Sequence, residues 1–181
     1  KLYGDDTFRL VVTTNNDESP VDYVVEDTRV ATVENGEVTV VAPGVTNILL
    51  KQAASGNFAA SEEISLPLTV NKRPLYVRVD DASRNYGEAN PEFVISYEGF
   101  VAGDNEESLT QKPVATCVAD TLSLGSFPIV LSGGVSDLYT FVYTNGTLTI
   151  GSVTTALSVA EIGEKVYGDQ PFALPVVTTN S

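Results

Sequence analysis

Apolar and polar residues alternate in short stretches along the chain, and turn residues separate the stretches. Strict alternation over four to eight residues is the pattern of a half-buried strand, because successive side chains point to opposite faces. Stretches at 30–33 and 38–41 flank Glu34-Asn35-Gly36-Glu37. That arrangement predicts a hairpin, since a type I′ turn needs positive φ at both central positions and Asn-Gly supplies it. Ala42-Pro43-Gly44 then interrupts the chain before a further strand at 45–51. Strands are also predicted at 66–70, 75–79, 93–97, 114–118, 127–131 and 156–159. A second Asn-Gly pair, Asn145-Gly146, lies between stretches 138–143 and 147–150, and the same reasoning predicts a second hairpin. On the first of these stretches Tyr139, Phe141 and Tyr143 share one face. No window shows a sustained 3.6-residue period. One or two helical turns at 104–110 are the only helical candidate, with Asp104 as cap and Glu107 three residues on.

The pattern repeats at long range. Residues 1–15 read KLYGDDTFRLVVTTN, and residues 165–180 read KVYGDQPFALPVVTTN. With Pro175 treated as an insertion, 11 of the 15 aligned positions are identical. A weaker copy begins at Tyr86-Gly87 and runs to Phe93. The Tyr-Gly pairs at 3, 86 and 167 are spaced 83 and 81 residues apart, the size of a small β domain. Three units follow: 1–72, 73–151 and the opening of a third at 152–181. The connections between them are a few residues long and are not Gly/Ser tethers, so they should hold neighbours close. Unit one is expected to lack a counterpart of strand 156–159. Residues 153–181 are expected either to pack on another sheet, completing unit one of a neighbouring chain being one such arrangement, or else to be poorly ordered.

Composition narrows the chemistry. The 181 residues include no His, Met or Trp and a single Cys. No Ser-His or Cys-His nucleophile pair, histidine-ligated metal site or internal disulfide can be built from that set. The net charge of −14 is shared as −6 over 1–72, −6 over 73–151 and −2 over 152–181, with no hidden basic patch. That charge argues against nucleic acid and anionic membrane surfaces as partners. No apolar run is long enough for direct membrane insertion of this segment.

Two resemblances rest on particular residues. Val30-Ala31-Thr32-Val33, Gly36, Val38-Thr39, Gly44 and Ile48 resemble the signature of bacterial immunoglobulin-like domains over about residues 26–70. Tyr86-Gly87, Asn90-Pro91, Phe93, Tyr97, Gly99-Phe100, Gly103-Asp104, Pro128-Ile129, Ser132-Gly133-Gly134 and Asn145 through Ile150 resemble the MBG domain of the YGX type over 75–150. The resemblances imply an all-β chain of tandem small domains: an Ig-like β-sandwich lacking its first strand, then an MBG-type domain. The latter could be β-grasp-like if 104–110 forms a helix over one face. They also imply an extracellular or bacterial cell-surface location and no shared catalytic motif.

Candidate sites are few. Acidic pairs offer oxygen ligands for Ca2+, which prefers carboxylates and carbonyls. Asp80 and Asp81 near the linker come first, then Asp104 and Glu106, although none follows the spacing of a helix-loop-helix calcium loop. Solvated loop charge is the competing reading. Tyr139 and Tyr143 could form a stacking platform for sugar, or an inward-facing core row. The repeated Tyr-Gly-Asp is best explained by a tyrosine packing at a domain edge and a glycine supplying an unusual φ. Cys117 reads as a small apolar core residue. The expected function is a non-catalytic, cofactor-free stalk or spacer of an adhesin-like array, whose partners are the neighbouring repeat domains. The alternative is a module that contacts host glycan, mucin or protein.

Overall fold

The computed structural model describes residues 1–159, 161, 164, 166–168, 170, 171, 173 and 176–178. The described residues are almost entirely strand and connecting loop, with one 3-10 turn at Glu106–Ser108. The expectation of an all-β chain built from small sheets holds.

Unit one contains β1 (Phe8–Arg9), β2 (Val21–Val25), β3 (Ala31–Glu34), β4 (Glu37–Val40), β5 (Gly44–Gln52) and β6 (Ile64–Val70). Two three-stranded antiparallel sheets form, ordered β1-β4-β3 and β2-β5-β6. The predicted hairpin is present, with Asn35 at φ 50° and Gly36 at φ 79° between β3 and β4. Val25, Ala31, Val38, Ile48 and Leu50 are the buried centre, and Phe8, Leu10, Val21, Tyr23, Val33 and Leu68 pack around them. The polar run after residue 13 is pinned by the buried Gln52. Its amide donates to the Asn16 and Ser19 carbonyls at 2.6 Å each, and its Oε1 accepts from the Thr14 hydroxyl at 2.6 Å.

Unit two contains β7 (Arg73–Val79), β8 (Ala82–Asn85), β9 (Ile95–Glu98), β10 (Val114–Thr116), β11 (Gly125–Ser132), β12 (Tyr139–Thr144) and β13 (Gly146–Gly151). One sheet is ordered β12-β7-β9 and the other β10-β11-β13-β8. Leu75, Val77 and Val79 of β7 alternate with exposed residues and meet Ile129, Leu131, Leu148 and Ile150 in one core. A second sheet covers the first, so no β-grasp helix is needed or present among the described residues.

The second Asn-Gly pair behaves differently from the first. β12 and β13 do not pair with each other. β12 runs parallel to β7 in one sheet, and β13 runs parallel to β8 in the other. The chain changes sheets at Asn145, just as it does between β7 and β8 at Asp80-Asp81. The predicted hairpin is therefore a corner. Asn145 is not at positive φ, and its side-chain oxygen accepts from the Leu131 N–H at 3.0 Å. Gly146 is needed for space: a Cβ there would lie 2.8 Å from the Asp80 carbonyl oxygen and 2.9 Å from that of Val79.

The helical candidate is also reduced. Only Glu106–Ser108 is helical, and the cap is Asn105, whose side chain accepts from the Glu107 N–H while the Ser108 hydroxyl accepts from the Asn105 N–H. Asp104 has another use, described below. In the third unit, β14 (Leu157–Val159) pairs antiparallel with β15 (Val176–Thr178) as a separate two-stranded sheet. Within the chain its described strands pair with each other and with no strand of unit one or unit two. Much of the remainder lies outside the described residues. Among the described residues no helix is long and apolar enough to cross a membrane.

Candidate functional site at the junction of the two units

The first five residues run beside the connection between units. Leu2 bridges Asn71 in parallel; the Tyr3 N–H donates to the Asn71 carbonyl at 2.9 Å, and the Asn71 N–H donates to the Lys1 carbonyl at 2.8 Å. This leaves only Asn71 and Lys72 between β6 and β7, and both are held. The Lys72 ammonium donates to the Ser136 carbonyl of unit two at 2.7 Å. Arg73 is the first residue of β7.

Tyr3 reaches from this ribbon into the core of unit two. Its ring meets Tyr139 edge-on, with centroids 5.6 Å apart and planes at 86°. Phe100 meets Tyr139 in the same way at 5.4 Å. Edge-to-face contact sets the positive rim of one ring against the negative face of the other. Both tyrosine hydroxyls donate to one oxygen of Asp104, Tyr3 at 3.0 Å and Tyr139 at 2.5 Å. The Tyr139 oxygen also accepts from the Val101 N–H at 2.9 Å. Burial and the hydrogen bond to Asp104 push the Tyr139 phenol up to about 12. Burial first, and Asp104 next, raise the Tyr3 phenol. The negative carboxylate disfavours a second negative charge on either phenolate.

Gly4 and Asp5 complete the clamp. Gly4 sits at φ +74°, and a Cβ there would fall 2.2 Å from a Val101 methyl. Only glycine combines that left-handed turn with so close an approach. Asp5 accepts from the Leu2 N–H at 2.9 Å and from the Arg73 guanidinium at 2.9 Å, while Arg73 Nε donates to the Tyr3 carbonyl at 2.5 Å. The Leu2 N–H first, with help from Arg73, holds the Asp5 carboxyl below its ordinary range. Tyr-Gly-Asp thus supplies an aromatic plug, a tight turn and an anion. Unit two receives them with an aromatic slot, a valine and an arginine.

The acidic candidates do not converge. Asp80 pairs with Arg78 at 2.7 Å, and Asp81 accepts from the Thr147 N–H at 2.7 Å at the sheet-changing corner. Asp104 is committed to the tyrosines, and Glu106 lies 3.6 Å from Lys112, which Glu107 also holds. Among the described residues no three His, Cys, Asp or Glu side chains gather as a metal site. Tyr139 is only 2% exposed, so it is a core residue and not a sugar platform. Tyr143 is half-buried, stacks on Phe141 at 5.8 Å and accepts from the Gly134 N–H at 3.1 Å. Cys117 is a free, half-buried thiol packed against the core of unit two.

Sequence reasoning missed Arg73, Val101 and the true partner of Asp104. Their shared signal was the recurring Tyr-Gly-Asp, which needs a receptor somewhere in the neighbouring unit.

Residues 75–149 match the family model of the MBG domain (YGX type), a repeat family of bacterial surface proteins. The match spans almost the whole of unit two, including Asp104 and Tyr139, which meet the Tyr3 hydroxyl and ring, and Phe100 beside Tyr139, while Arg73 lies just before it. No curated protein matches the chain.

Proposed function

We propose that the chain is a non-catalytic spacer segment of a bacterial surface protein, in which the Tyr-Gly-Asp clamp makes two small β domains behave as one rigid piece. The clamp itself carries this reading. A connection of two residues limits separation but does not fix orientation. Insertion of Tyr3 into the partner core, together with the Asp5–Arg73 pair, adds contacts that break if the units swivel. Unit one serves as an Ig-like sandwich, and the segment belongs outside the cell, within an adhesin-like array. A net charge of −14 keeps such a rod soluble and discourages lateral association.

Nuclear spin relaxation tests the reading. Amides of 1–72 and 73–151 should report one common tumbling time and one diffusion tensor. Separate, faster tumbling of each unit would refute a rigid spacer.

A further inference from the structure

One edge of unit two is unguarded. A free edge strand presents unpaired N–H and C=O groups that another strand can take up, and a charge, a proline or extreme shortness ordinarily prevents this. The other described edge strands longer than three residues each carry such a guard: Asp22 in β2, Glu34 in β3, Pro67 in β6, Arg84 in β8 and Glu98 in β9. β12 is the exception. It runs Tyr139-Thr140-Phe141-Val142-Tyr143-Thr144, with no charge and no proline, and every residue is β-branched or aromatic. It lies at the edge of its sheet, bonded only to β7, inside a unit whose other strands are built around it.

The ladder to β7 fixes which backbone groups of β12 are free. The Arg73 N–H donates to the Leu138 carbonyl at 3.1 Å. Alternate residues of a parallel ladder face the neighbouring strand, so Thr140, Val142 and Thr144 bond to β7. The backbone groups of Tyr139, Phe141 and Tyr143 point away from it. The Ser136 hydroxyl accepts from the Tyr139 N–H at 3.1 Å. The Phe141 and Tyr143 N–H groups, and the carbonyls of all three residues, have no partner among the described residues.

We infer that β12 is a self-pairing edge whose occupant is β12 of a second copy of this chain, antiparallel about a two-fold axis at Phe141. In that register Phe141 lies opposite Phe141, Tyr139 opposite Tyr143, and Thr140 opposite Val142. Three observations select a second copy. First, a two-fold contact requires the strand to be its own complement. Here aromatic meets aromatic on one face and Thr140 meets Val142 on the other, and such cross-strand pairs are stabilising. Second, the register carries Asp137 to the far end of the other strand, opposite Asn145. The Asp137 carboxylate has no partner among the described residues. The Asn145 oxygen accepts from the Leu131 N–H, which leaves its amide N–H groups to donate. A parallel arrangement would instead set Asp137 against Asp137. Third, the net charge of −14 discourages lateral contact over the rest of the surface, whereas β12 is a strip without charge. The pairing joins two chains side by side and goes beyond the spacer reading, which concerns the joint within one chain.

Directed cross-linking of the full chain tests the register. In a Cys117→Ser background, one protein carries Thr140→Cys and another Val142→Cys, both on the exposed face of β12. Opposed residues of a non-hydrogen-bonded antiparallel pair have Cα atoms about 4.5 Å apart, within disulfide range. Mixed under mild oxidation, the two should form a heterodimer. Its yield should exceed by about tenfold that of a control mixture pairing Thr140→Cys with the exposed Leu122→Cys, a preference worth about 1.4 kcal/mol. Sedimentation of the unaltered chain should show a monomer–dimer equilibrium that tightens as salt rises from about 0.05 to about 0.5 M, because screening relieves the repulsion of two acidic chains. The double variant Thr140→Asp/Val142→Asp sets like charges opposite each other and should be monomeric. Mixing it with Thr140→Lys/Val142→Lys should restore a heterodimer, which a variant that had merely unfolded would not do. Three results would overturn the inference: a cross-linking yield equal to the control, an unaltered chain that stays monomeric across the salt range, or a mixture of oppositely charged variants that associates no better than either alone. An independently tumbling pair of units would defeat the spacer reading while leaving this test intact.

Discussion

Replacing Tyr3 by alanine separates a working clamp from an incidental contact. The substitution removes the edge-to-face contact with Tyr139, worth about 0.5–1.5 kcal/mol. It also removes a hydrogen bond to the Asp104 carboxylate at 3.0 Å, worth about 1 kcal/mol at a half-exposed site. The lost burial of half an aromatic ring adds about 1–2 kcal/mol at roughly 25 cal/mol per Å². Water and side-chain relaxation recover part of this, leaving about 3 kcal/mol. Amide hydrogen exchange reads the effect unit by unit. The core amides of Leu75, Val77, Ile129 and Leu148 should lose protection by about two decades, since each 1.4 kcal/mol is tenfold. Tyr3→Phe keeps the ring and loses the hydroxyl, so it should cost about one decade or less. If Tyr3→Ala leaves those amides within about twofold of the parent, the clamp contributes nothing measurable and the energetic argument is wrong.

Other outcomes follow from the same geometry. Gly4→Ala must place a methyl on Val101 and hold φ at +74°, costing about 2–4 kcal/mol; small-angle scattering should show a wider spread of inter-unit distances, and an unchanged profile would contradict this. Gly146→Ala should destabilise unit two by about 1–3 kcal/mol in urea melts, because the new Cβ meets backbone that cannot yield. The raised phenols of Tyr139 and Tyr3 stabilise the fold fully below the ordinary tyrosine range near pH 10. That contribution should fade as pH rises through about 12, and ultraviolet titration of Tyr139→Phe should lack the latest phenolate to appear. Asp5 has the opposite sign: its depressed carboxyl supports the joint above its ordinary range and ceases to as pH falls through its folded value. Common tumbling should then be lost at acid pH earlier in Arg73→Gln than in the parent. With every acidic candidate already engaged or apart, millimolar Ca2+ should leave the melting temperature as it is in EDTA, and a rise of several degrees would reveal a site.

Much of the architecture was legible because strands announce themselves locally. The period-two pattern located eleven of the strands, with shifts of a residue or two at their ends. The Asn35-Gly36 hairpin followed from the φ its turn requires. The two errors share a cause. Asn145-Gly146 has the same letters as Asn35-Gly36, but its flanking stretches found better partners in β7, β8 and β11 than in each other. Asp104 was read as a helix cap because capping is a local rule, whereas its actual partners lie 101 and 35 residues away. The candidate site was legible only as a recurrence. Tyr-Gly-Asp appeared in the sequence as a ligand without a receptor, since Arg73, Val101, Phe100 and Tyr139 come together only when β7, β12 and the loop after β9 are assembled.

What the sequence determined alone was the class of structure, the repeat length near 80 and the absence of histidine-based or disulfide chemistry. Those depend on composition and on spacings within a few residues. Tertiary structure decided where the chain of unit two crosses between its two sheets, and which tyrosine becomes a plug and which becomes its slot. Each of these is a competition between distant segments for the same backbone bonds and the same apolar cover, and no local pattern records which segment wins.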